Sequence, residues 1–128
     1  LKTARDEVHA PMVSHIVLFR PRRDLSSSER DAFVAALDAA RHDIASVRRF
    51  RIGRRVVHGR EYERGMSVDF EFAAIVEFDD LAGLQDYLAH PAHEALGRLF
   101  GASLESALVY DYDMAEGEET GALLKKNA

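Results

Sequence analysis

Two stretches of this chain are apolar at consecutive positions where a half-solvated strand would be apolar only at every second one. MVSHIVLFR, Met12 to Arg20, and FEFAAIVEF, Phe70 to Phe78, are rich in β-branched and aromatic residues and read as strands. Alternation along the first puts His15, Val17 and Phe19 on one side and Ser14, Ile16 and Leu18 on the other. Along the second, Phe72, Ala74, Val76 and Phe78 oppose Ala73 and Ile75, with Glu71 and Glu77 flanking the latter set. A sheet open to water on one side alternates apolar and polar residues, so a sheet built from these strands needs cover on both faces.

The remaining segments say what that cover can be. DLSSSERDAFVAALDAARHDI, Asp24 to Ile44, offers Ser26 to Ser28 as N-caps and Glu29 or Arg30 in the first turn. Phe33, Val34, Leu37, Ala40 and Ile44 then recur at helical spacing, which predicts about five turns of helix. VRRFRIGRRVVHG, Val47 to Gly59, reads as a second strand in which Gly53 marks a bulge or close approach. After the polar loop GREYERGMSVD, the strand FEFAAIVEF leads into a helix capped by Asp79 or Asp80, with Leu81, Leu84 and Leu88 as its core stripe. That helix breaks at Pro91, which removes an intrahelical hydrogen bond and disfavours helix at His90, and it resumes through about Phe100. ESALVYDYDM, Glu105 to Met114, is the last strand.

The order β-α-β-β-α-β is the ferredoxin-like α+β arrangement, a four-stranded antiparallel sheet with both helices on one face. It leaves the other face bare, and the chain has no spare element to cover it. A second copy is the economical cover, because a two-fold dimer buries the same patch on both subunits. Even several hundred Å² of apolar burial is worth on the order of 10 kcal/mol before association costs. A homodimer through the face without helices, burying Ile16, Leu18, Ile75 and Tyr110, is therefore expected.

Composition narrows the rest. At 128 residues and 47% hydrophobic, the chain fits one domain, placed at residues 12–114, between a loose arm over 1–11 and a poorly ordered tail over 115–128. A net charge of -5 argues against nucleic acid, and the seven Arg between Arg48 and Arg64 read as a solvated face. No cysteine means no disulfide and no thiolate site. No apolar run approaches the ~20 residues that span a bilayer, and the first residues lack the apolar core of a secretory signal, so a cytoplasmic protein that binds no membrane is expected.

The chemistry concentrates in LQDYLAHPAHEALG, Leu84 to Gly97. Tyr87 borders the core stripe, and His93 follows the Pro turn. His15 arrives from the first strand. If that strand face meets the helices, three polar tips converge in a greasy cavity lined by Val17, Phe19, Phe33, Leu37, Phe72, Ala74, Val76, Leu96 and Val109. A mostly apolar pocket with a few polar groups suits a small molecule, and a histidine there can exchange protons near neutral pH. The plainer alternative is that His90 and His93 tie off the helix ends and Tyr87 is a core aromatic. Three histidines with no carboxylate on the same face make a poor metal site, so neither a metal nor a cofactor is expected.

SHIVLFR, AAIVEF, LQDYLAHPAHEALG and the closing ALVYDY together resemble the stress-responsive α/β barrel domain (Dabb) family, a dimeric branch of the ferredoxin-like fold, over about Met12 to Asp113. The resemblance implies the same head-to-head dimer. It also implies roles: some members, a plant polyketide cyclase among them, close an aromatic ring by aldol chemistry with a Tyr and a His of this motif. Those roles fall here on Tyr87 and His93, with His15 matching a further His of the pocket wall. The chain departs from that cyclase on the third strand, where Phe72 stands in place of another His. Most of the family resembles small proteins of unassigned activity. Three functions follow as expectations: a cofactor-independent cyclase or lyase acting on a small carbonyl or polyketide-like compound, a module that binds a small hydrophobe without turnover, or a structural stress-protection dimer.

Overall fold

A computed structural model describes residues 12–125, so the arm expected over residues 1–11 lies outside it. Strand β1 (Val13–Pro21) is followed by helix α1 (Ser27–Asp43), β2 (Arg49–Arg54), β3 (Phe72–Phe78), α2 (Leu81–Ala89), α3 (Pro91–Ser103) and β4 (Leu104–Asp113). The strands form one antiparallel sheet in the order β2-β3-β1-β4, which is the ferredoxin-like topology. The register pairs His15 with Val76 and Asp111, and Val17 with Ala74 and Val109, so these side chains share one face.

That face is the core. Val17, Phe19, Ala74, Val76 and Phe78 are buried on it, under Phe33 and Ala40 of α1, Leu84 and Tyr87 of α2, and Leu96 of α3. On the opposite face Ile16, Leu18 and Ile75 are only half-buried, while Leu108, Tyr110 and Tyr112 are exposed. No helix of the described chain lies over them.

Helix α1 starts where the sequence said it would. Ser26 accepts a hydrogen bond from the Glu29 amide at 3.1 Å, and the Glu29 carboxylate accepts one from the Ser26 amide at 2.9 Å, a reciprocal capping box. The Ser26 amide and hydroxyl hold the Glu29 carboxyl below its ordinary value. Ser26→Ala is expected to cost about 1 kcal/mol, read as a lowered urea midpoint with an unchanged slope.

Several expectations fail in detail. Val34 is not core but 56% exposed, because α1 turns only Phe33, Ala36, Leu37 and Ala40 towards the sheet and α3. The stripe of α2 is Leu84 and Tyr87, three residues apart, whereas Leu81 is exposed and Leu88 stands at the margin. Strand β2 ends at Arg54 instead of running to Gly59: its partner β3 begins at Phe72, and past that pair Val56 and Val57 have nothing to pack on. Gly53 marks neither a bulge nor a close approach, since its pairing is regular and an added Cβ would meet nothing within 4 Å. The tail is not featureless either: Gly117–Glu119 form a 3-10 turn and Thr120–Lys125 a short helix, α4, with no buried residue in either.

Candidate functional site

The break at Pro91 is built by His90. Its amide bonds to the Tyr87 carbonyl as α2 ends, and its Nδ1 then accepts from the Ala92 amide at 3.0 Å, making it the N-cap of α3 with Pro91 in the first turn. For His90 the plainer alternative holds: it ties the helix ends. His93 lies three residues further on and turns towards the cavity.

His93 meets Tyr87 and His15 ring to ring. The centroids of Tyr87 and His93 are 4.7 Å apart, those of His15 and Tyr87 5.7 Å, and those of His15 and His93 6.4 Å. Tyr87 and His15 are buried and His93 is half-buried. All three line a cavity of about 250 Å³ between the sheet and the helices. The surface has larger hollows, one of about 400 Å³ near Met12 and Asp80, but they do not gather these three rings.

Of the residues expected in the wall, Val17, Leu37, Ala74, Val76, Leu96 and Val109 are there. Phe19, Phe33 and Phe72 are not. They form an aromatic cluster with Phe100 beside the cavity, with Phe19 5.5 Å from Phe72, 5.6 Å from Phe100 and 6.0 Å from Phe33 between centroids. Phe50, Leu88, Gly97 and Phe100 complete the wall and were not foreseen as such.

The residue that sequence reasoning missed outright is Asp111. Its Oδ1 lies 2.5 Å from His15 Nδ1, so a carboxylate does stand on the histidine face. Extending the alternation of Ala107 and Val109 by one step along β4 would have found it, because the register sets Asp111 directly across from His15. An ionised carboxylate only accepts hydrogen bonds, so Nδ1 donates, the tautomer is set, and Nε2 remains for a molecule in the cavity. Among the described residues no group of three or more His, Asp or Glu side chains is placed to hold a metal ion.

Burial sets the protonation of the other two. It raises the Tyr87 phenol to about 12, which keeps the hydroxyl a donor at neutral pH. Burial also lowers the His93 imidazole below its ordinary value and the neighbouring His15 adds to this, while the Leu88 carbonyl and Glu94 pull the other way. His93 is therefore a neutral imidazole across the neutral range. A folded-state value depressed below the unfolded one of about 6.5 gives stability that is present above that value and lost as pH falls through the folded one. The melting temperature is expected to drop as pH is lowered from about 7 to below 6, and the drop should be shallower in His93→Gln. Parallel curves for the two chains would refute the assignment.

A ferredoxin-like domain with a His, Tyr and His set around an apolar cavity defines the class. A family model described as the stress responsive A/B barrel domain (Dabb) matches residues 13–114, and the chain belongs to that family. Among solved structures, a dimeric ferredoxin-like protein of unknown function from Bacteroides fragilis is 30% identical, over 80% of this chain and 96% of its own, with a TM-score of 0.58. A Dabb family protein from Mesorhizobium loti is 27% identical, over 84% and 100%, with a TM-score of 0.65. A hydroxynitrile lyase from Passiflora edulis superimposes with a TM-score of 0.69 over 83% and 95%; at 19% identity this likeness is one of fold alone. No curated protein sequence matches the chain.

Proposed function

We propose that this domain is a cofactor-independent lyase or cyclase that removes a proton α to the carbonyl of a small, apolar, polyketide-like compound. One observation carries the reading: a neutral imidazole, His93, stands beside a protonated phenol, Tyr87, at an apolar cavity. A neutral imidazole leaves one ring nitrogen unprotonated, and the lone pair of that nitrogen of His93 takes the proton. The carbonyl becomes an enolate whose oxygen accepts a hydrogen bond from the Tyr87 hydroxyl, while His15, held in place by Asp111, offers Nε2 only as an acceptor. The enolate carbon then attacks a second carbonyl, or, in the reverse direction, a carbon–carbon bond breaks to give it, and His93 returns the proton. That a protein of this fold in Passiflora edulis is a hydroxynitrile lyase is in keeping with such chemistry.

A homodimer closing the bare sheet face, in a cytoplasmic setting, belongs to the same proposal; the Bacteroides fragilis relative is described as dimeric. The alternative is a module that holds a small hydrophobe without turning it over, which the largely apolar wall favours. The test is ¹H NMR of small ketones and aldehydes in D2O with and without the protein. Exchange of the α protons faster than with free imidazole at equal concentration is the expected result. Ketone binding with no such acceleration would leave only the binding module.

A further inference from the structure

Helix α3 carries two interior glycines, Gly97 and Gly101. Glycine forms helix worse than any residue but proline, because fixing its backbone costs the most entropy, so each asks for a reason. Close approach is one such reason: at Gly83 in α2 an added Cβ would stand 3.3 Å from the Cβ of Phe78. Neither glycine of α3 has it, since a Cβ at Gly97 or Gly101 would meet no heavy atom within 4 Å, and neither has a positive φ. Position separates the two. Gly97 is exposed yet lines the cavity, so it stands where the cavity meets solvent, whereas Gly101 is exposed and outside the wall. Gly97 also follows His93 by four residues, which places the two on one helix face about one turn, or ~5–6 Å, apart.

We propose that Gly97 is the specificity-determining residue of the cavity, leaving open the path taken by the apolar tail of a neutral carbonyl compound whose carbonyl lies at His93. This rests on the reading of the site given above. The compound is neutral because the wall contains no Lys or Arg, its polar side chains being His15, Tyr87 and His93, so a carboxylate or phosphate would enter without a fixed cationic partner. The tail is apolar because Leu96, Phe100 and Val109 line the same cavity as His93 and Gly97. At about 250 Å³ the cavity falls below the usual range for small-molecule sites, roughly 300–1,000 Å³, so a larger ligand must extend through an opening. The missing side chain at 97 provides one.

The test is calorimetric titration of 2-alkanones from 2-butanone to 2-undecanone into the full chain and into Gly97→Leu and Gly101→Leu. The wild type should bind more tightly as the ketone lengthens. Gly97→Leu should match it for the shortest ketones and lose about tenfold or more for the longest, the equivalent of two methylene groups left unburied. Gly101→Leu should follow the wild type throughout. Both substitutions relieve a helical glycine in open space and should raise the melting temperature by about 3–6 °C, which shows that a lost affinity is not a lost fold. A wild type that binds no ketone overturns the site reading and this inference together. A wild type that binds the series while Gly97→Leu binds it equally well, or weakens every ketone alike, overturns this inference only.

Discussion

His93→Ala is expected to slow α-proton exchange on any ketone the domain turns over by about 10²–10⁴-fold, the usual contribution of a positioned general base. The melting temperature should move by only a few degrees. The reason lies in how His93 meets Tyr87. Their rings touch at 4.7 Å between centroids, but among the described residues the Tyr87 hydroxyl makes no hydrogen bond to the imidazole, and burial alone accounts for its raised value. Removing the imidazole therefore does not orphan a buried hydroxyl, which would cost about 1–3 kcal/mol. What is lost is a ring contact of about 0.5–1.5 kcal/mol at a half-buried position. A large fall in melting temperature with an unchanged exchange rate would instead make His93 a structural residue.

Leu18→Asp is expected to convert a two-fold dimer into a 14.3 kDa monomer in sedimentation velocity at micromolar concentration. Leu18 sits at the centre of the sheet face that no helix of the described residues covers, paired in register with Ala73 and Leu108. By symmetry one substitution places two carboxylates in the interface. Each buried and unpaired charge costs several kcal/mol after relaxation, enough together to exceed the surplus that holds a modest apolar interface. The fold should survive, because Leu18 is only half-buried within one chain. A wild-type chain that already sediments as a clean 14.3 kDa species would remove the dimer from the proposal.

Much of the molecule could be read from local pattern. Period-two alternation placed Ile16 and Leu18 opposite His15 and Val17, and the paired strands keep them so. The Ser26 cap, the stop at His90 and the restart at Pro91 were equally visible, because caps and prolines act within four residues of themselves. Amphipathic spacing was less reliable at its edges: Leu81, Leu84 and Leu88 fit a helical stripe as well as Leu84 and Tyr87 do. The choice between them depends on which way the sheet lies.

The sequence by itself therefore determined the element order and the two-faced sheet, and offered Tyr87 and His93 as candidates, since each follows from contacts within a few positions along the chain. Only the tertiary structure decided which of the apolar residues became wall and which became core. It sent Phe19, Phe33 and Phe72 into an aromatic cluster and brought Phe50, Gly97 and Phe100 to the cavity. It alone also supplied Asp111 to His15 across 96 positions of chain. No local periodicity encodes such a meeting: strand register sets it, and register is chosen by the packing of the whole face at once.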